Sequence, residues 1–244
     1  MQIWRYLALL AVVIVLLMTI EPVRTYGQFM LTKLVGGYSV ADRLEQYADK
    51  VSSQLNAAFS QQGISYPPKH VAVLAFKDTN MLQLYAKNSD MQNWQLVKTY
   101  PIVKASGVLG PKLQEGDKQV PEGIYQSESL NPNSRYHLAI RVNYPNEFDR
   151  QMAQLDDRIN LGGDIMIHGS SSSVGCLAMG NDAAEELFVL AALAGNNPMK
   201  IIIGPTDFRT KAVDGLAIAG KTPRWRAELY QHIRQELSAF PLTN

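Results

Sequence analysis

Residues 6–20 are uncharged and almost entirely apolar, fifteen positions in a row between Arg5 and Glu21-Pro22. A run of this kind near an N-terminus predicts an export signal or a membrane anchor. It falls short of the ~17–25 residues typical of a spanning helix unless Ile3 and Trp4 extend it. A cleavable signal peptide is the other form it can take, although Thr25-Tyr26-Gly27 makes a poor cleavage site. In both forms the remainder of the chain is expected outside the cytoplasm, in the periplasm or cell envelope, with the inner membrane as the partner of this segment. The apolar spacing then changes. Val40, Leu44, Tyr47, Val51, Leu55 and Phe59 recur every three or four residues behind a capping-box pair, Ser39 and Asp42, which predicts an amphipathic helix over 39–62. Gly63 ends it, and Pro67-Pro68 marks a join.

From residue 70 the pattern turns β-like. Residues 70–76 and 81–85 flank Asp78-Thr79-Asn80 as a hairpin, 94–102 and 123–130 read as strands, and Tyr136, Leu138, Ile140 and Val142 alternate with His137, Ala139 and Arg141. The Gly-, Pro- and Lys-rich stretch 107–121 predicts a mobile loop long enough to line or cover a groove. Residues 163–168 read as a short buried strand. Asn181 is expected to cap a helix with Leu187, Phe188, Leu190 and Ala191 on its apolar face, closing near Gly195. A last strand over 200–203 precedes a terminal amphipathic helix that Thr222-Pro223 would start and that carries Trp225, Leu229, Ile233 and Leu237. The fold class expected is mostly β with flanking helices, α+β. The chain divides into a signal or anchor (1–27), an amphipathic helix and linker (28–67), a catalytic domain (68–210) and a C-terminal helix (211–244).

Composition narrows this picture modestly. With 244 residues, 46% of them hydrophobic, the chain can bury one full core but not two large ones. A net charge of +1 gives no basic excess for nucleic acid and no acidic tail. One cysteine rules out an internal disulfide. The four histidines, His70, His137, His168 and His232, lack metal-ligand spacing, so neither a metal nor another cofactor is expected. Oligomeric state is not encoded in any of these features.

The chemistry concentrates in Ile167-His-Gly-Ser-Ser-Ser-Ser-Val-Gly-Cys176, where the only cysteine follows a His-Gly pair by eight positions. A free thiol titrates near ~8.5 and needs a base beside it to act as a nucleophile at neutral pH. His168, at the end of a strand, can supply that base if Gly169 and the serines turn the chain back toward Cys176. Gly175 would let amides beside Cys176 converge as an oxyanion hole worth about 3 kcal/mol, with Ser173 supporting the turn. Taken singly, the cysteine reads as a small core residue and the histidine as a structural one; together, in an exported chain with one unpaired thiol, they read as a cysteine acyl-transfer site. A papain-like hydrolase is disfavoured because its cysteine precedes its histidine by more than about a hundred residues. An inactive envelope-binding module is the remaining alternative.

The segment resembles the signature of the YkuD-type L,D-transpeptidases, in which a His-Gly pair is followed by Ser/Thr-His-Gly-Cys. Here the matching residues are His168-Gly169 and Ser173-Val174-Gly175-Cys176. The short spacing and the valine in place of a second histidine resemble the YafK-like branch, as do Val120-Pro121-Glu122-Gly123-Ile124-Tyr125, Ser129-Leu130-Asn131-Pro132-Asn133-Ser134, Tyr136-His137-Leu138 and Asn143-Tyr144-Pro145-Asn146. The resemblance implies an L,D-transpeptidase-like β-sheet or barrel domain acting on peptidoglycan stem peptides in cell wall remodelling. Cys176 would be the acyl-enzyme nucleophile, His168 the general base and acid, and the Gly169 carbonyl the group orienting the imidazole. Acyl transfer to an amine is the main expectation, and hydrolysis releasing peptide or protein from diaminopimelate is the variant. Tyr136 and Arg141 are candidates for binding a negatively charged peptide. His137 is expected to be structural or substrate-contacting, facing groove or solvent, and Ser173 completes the substrate side.

Overall fold

The computed structural model describes residues 36–213 and 222–242, with Val23, Gly27, Met30 and Leu31 before them. The apolar run 6–20 lies outside the described residues. Among the described residues no helix is long and apolar enough to cross a membrane. The helix expected over 39–62 forms as α1 (Val40–Gln61), with the Ser39 hydroxyl accepting from the Asp42 amide and the Asp42 carboxylate accepting from the Ser39 amide. The hairpin forms as β1 (His70–Phe76) and β2 (Met81–Lys87), followed by β3 (Gln95–Pro101) and a two-residue β4 (Lys104–Ala105). Then come β5 (Gly123–Ser134), β6 (His137–Val142), α2 (Glu147–Leu155), β7 (Met166–His168), β8 (Leu177–Ala178), α3 (Asn181–Leu193), β9 (Lys200–Gly204) and α4 (Arg226–Leu237).

Among the described residues nine strands join one sheet in the order β3-β2-β1-β9-β5-β6-β7-β8-β4. Of these strands, β1–β9 and β7–β8 pair in parallel and the other neighbours antiparallel. Residues of β1 alternate between two cores: Val71, Val73 and Ala75 face α1 and α3, whereas Ala72, Leu74 and Phe76 join the cluster under α4. A strand covered on both faces has no polar side to show, which is why 70–76 is apolar almost throughout. Strand β5 runs four residues beyond the sequence expectation. Its first part pairs with β9 and its second with β6, and register shifts at Ser127/Ser129 and Asn131/Ser134 bend it between the two.

Three other expectations need correcting. Asn181 does not cap α3, whose N-cap is Gly180 with no side-chain bond, because the Asn181 carboxamide oxygen accepts from the Ser170 amide instead. Helix α4 starts at Arg226 rather than at Thr222-Pro223: the Pro223 carbonyl is used in a turn to the Arg226 amide, and the Trp225 indole is drawn inward to donate to Asp156 at 2.7 Å. The stretch 107–121 is irregular but tied down. Lys112, buried despite its charge, bonds Asp117 at 2.5 Å, and Asp117 also accepts from the amides of Leu113, Gln114 and Gln119. Deeper in, Lys77 and Glu122 form a buried pair at 2.9 Å that also holds Gly110 and Tyr230. Composition predicted mobility, and buried polar contacts override it.

Candidate active site

Strand β7 brings His168 into the sheet between β6 and β8. The residue after it must be glycine for lack of space: a Cβ on Gly169 would lie 2.7 Å from the Asn181 side chain, 2.9 Å from the Tyr136 carbonyl and 3.0 Å from His137. The chain then loops outward through the serines and returns at Gly175, whose φ of +88° lies in the region glycine alone enters freely. Cys176 follows immediately before β8. The β7–β8 register aligns Ile167 with Leu177 and His168 with Ala178. Cys176 sits one residue before that register, in the bend that leads into β8.

The imidazole is held by two contacts. Its Nδ1 lies 2.5 Å from the Gly169 carbonyl, which can only accept, so Nδ1 carries the proton and Nε2 is the basic atom. The ring stacks on Tyr136 with centroids 4.7 Å apart and planes 25° apart. Only 1% of His168 is exposed, and burial lowers its pKa, partly offset by the Gly169 bond. The base is therefore neutral at neutral pH.

The sulfur is held more loosely. Cys176 is half-buried, and its thiol donates to the Asp164 carbonyl at 3.6 Å, with no hydrogen bond joining it to His168. Burial raises the thiol pKa, the Met166 amide opposes that shift, and the Asp164 charge adds to it. The pair thus rests as neutral thiol and neutral imidazole, with the sulfur on the Asp164 carbonyl. Asp164 itself has φ +56° and is gripped by Arg141, which spans Asp164 at 2.5 Å and Glu128 at 2.7 Å.

The turn before Cys176 is braced by hydroxyls. Ser173 Oγ donates to the Cys176 carbonyl at 2.7 Å and accepts from the Ser106 amide at 3.0 Å. The Gly175 amide donates to Ser106 Oγ at 2.6 Å, so this N–H is spent and does not join the oxyanion donors expected from the sequence. A cavity of about 390 Å³ opens beside Ser106, lined by Lys77, Asn80, Ala105, Gly107, Val108 and Leu109. Cys176 is not among its walls, whereas Ser106, which bonds the Gly175 amide, is.

The substrate-side residues separate. Tyr136 stands at the imidazole rather than in an open groove. Arg141 is paired with two carboxylates and positions Asp164. His137 faces neither groove nor solvent: its Nε2 meets Glu185 at 2.8 Å and its ring meets the Tyr47 edge at 5.6 Å, while Lys50 on α1 bonds the same Glu185 at 2.6 Å. Ser106 and the Asp164 carbonyl escaped the sequence reading. Ser106 lies 69 positions from Gly175, a separation that no local pattern bridges.

The profile of the YkuD L,D-transpeptidase catalytic domain family matches residues 71–207. YafK of Escherichia coli (strain K12), which carries a provisional L,D-transpeptidase name, is 37% identical over 151 residues, 60% of this chain and 57% of its own length. The chain thus spans little more than half of that relative. Among solved structures, the helical cell shape determining protein Pgp2 from Campylobacter jejuni is 22% identical with a TM-score of 0.44, over 66% of this chain and 54% of that one.

Proposed function

Since the chain belongs to the YkuD L,D-transpeptidase catalytic domain family, we propose that it is an envelope cysteine acyltransferase that takes peptidoglycan stem peptides through a thioester on Cys176. The observation that supports this most is the tautomer at His168. Nδ1 is committed to the Gly169 carbonyl, leaving Nε2 as the basic atom, on a strand paired with the one that directly follows Cys176. His168 Nε2 takes the thiol proton as the sulfur attacks a carbonyl beside diaminopimelate, at a bond between an L and a D centre. The tetrahedral oxyanion collapses, the C–N bond breaks, and the imidazolium returns its proton to the departing amine. An acceptor amine then attacks the thioester, giving up a proton to Nε2, and the new amide leaves while the sulfur regains a proton.

Water in place of the amine gives hydrolysis by the same atoms. The apolar run 6–20 would deliver the domain to the periplasmic side of the inner membrane, where it takes part in wall remodelling and cell shape. Mass spectrometry of muropeptides incubated with the purified protein tests the proposal. Crosslinked dimers are the expected product, trimmed or released peptides would assign hydrolysis, and an unchanged muropeptide pattern would refute both.

A further inference from the structure

A hydroxyl from the far side of the loop 107–121 reaches the nucleophile turn. Ser106 follows β4 directly, and its Oγ is shared among three segments: it accepts the Gly175 N–H at 2.6 Å, donates to the Lys118 carbonyl at 2.7 Å and lies 3.1 Å from Ser173 Oγ. Each of the two serine hydroxyls has a single proton. That of Ser106 goes to Lys118, and that of Ser173 goes to Cys176 through the shorter of its two contacts. The base on which Ser106 sits is closed. The Val120 amide returns to the Ser106 carbonyl at 3.3 Å, and Gln119 donates to the carbonyls of Val108 and Gly110. Gly107 is packed so tightly that a Cβ there would fall 2.0 Å from the Gln119 side chain.

We propose that Ser106 is a positioning residue for the acyl transfer: its hydroxyl clamps the Gly175–Cys176 turn to the closed loop 107–121, fixing where the sulfur rests against β7. This rests on Cys176 being the nucleophile. The clamp also withdraws the Gly175 amide from the reacting carbonyl, so the oxyanion is met by other donors. Alanine cannot replace it, because both the Gly175 N–H and the Lys118 carbonyl lose their partner at once. Threonine can, since it keeps the hydroxyl.

The test compares turnover of muropeptides with iodoacetamide labelling of Cys176 in the full chain. In Ser106→Ala, turnover falls about tenfold with KM little changed, while labelling at neutral pH rises severalfold because the freed turn gives the thiol solvent and a larger thiolate fraction. A purely structural role moves both the same way or neither. Ser106→Thr restores both. Wild-type turnover and labelling in Ser106→Ala, or parallel losses that threonine does not rescue, overturn the proposal. Should Ser106→Ala not fold, amide exchange in the native protein decides: slow exchange at Gly175 beside fast exchange at Val174, which is 68% exposed, supports the clamp, and equally fast exchange overturns it. His168→Ala separates the two ideas. Unchanged labelling and turnover in that variant refute the thiol–imidazole reading, whereas the exchange at Gly175 still reports on Ser106.

Discussion

His168 lies in a strand with 1% of its surface exposed, its ring stacked on Tyr136 and one nitrogen tied to the adjacent carbonyl. Cys176 lies half-buried at the end of a turn, its carbonyl held by the Ser173 hydroxyl, the Gly175 amide before it held by that of Ser106, and its thiol on a long 3.6 Å bond to Asp164. The proposed base is fixed by packing, which costs little to maintain because the sheet is already there. The proposed nucleophile is instead held by a few hydrogen bonds around its turn. The two are held by different means, so mutations on the two sides should differ in kind as well as size.

The largest effect is expected at the sulfur. Cys176→Ala abolishes turnover and shifts Tm by no more than about 2 °C, because a half-exposed turn residue contributes little to the core. Loss of fold, read by circular dichroism, would place Cys176 in the packed interior instead. His168→Ala lowers kcat by ~10² to 10⁴ and also destabilises the protein, by roughly 1–3 kcal/mol in urea unfolding, since it empties a packed site. A kinetic loss without any change in stability would mean that packing is not what holds the imidazole.

Tyr136 sharpens the contrast next. Tyr136→Ala removes a stacked ring worth about 0.5–1.5 kcal/mol and should lower kcat about tenfold, while Tyr136→Phe keeps the stack and the rate. Equal losses in both variants would transfer the role of Tyr136 to its hydroxyl. The smallest effect is a displacement in pH. His168 must be neutral to accept the thiol proton, and burial lowers its pKa. The acid limb of kcat/KM is therefore expected below the ordinary imidazole value of ~6.5, with activity retained as pH falls past that point. A midpoint above 6.5 would signal an ion pair with the thiolate rather than two neutral groups.

Much of the scaffold was legible in the chain because local chemistry dictates it. The Ser39/Asp42 box starts α1, the Asp78-Thr79-Asn80 turn closes the first hairpin, and the alternation through 138–142 marks β6, although its second face is largely buried too. The His-Gly and Gly-Cys pairs were legible from residue type and spacing, and the positive φ at Gly175 agrees with the glycine read there. What escaped notice depends on contacts across the fold. His137 reads as a strand residue of either face until Glu185 and Tyr47 arrive from two helices. The stretch 107–121 reads as mobile because its composition does not reveal that Lys112, Asp117 and Gln119 satisfy one another inside it. Asn181 has the chemistry of a cap, but the backbone of Ser170 competes for its side chain and wins.

The covalent intermediate offers the most direct test. Intact-protein mass spectrometry after brief mixing with a diaminopimelate-containing stem peptide should show the wild-type chain heavier by one acyl group, an adduct cleaved by hydroxylamine, lacking in Cys176→Ala and slow to form in His168→Ala. Turnover without any adduct in quenched samples, or an adduct that persists in Cys176→Ala, would contradict acyl transfer through this sulfur.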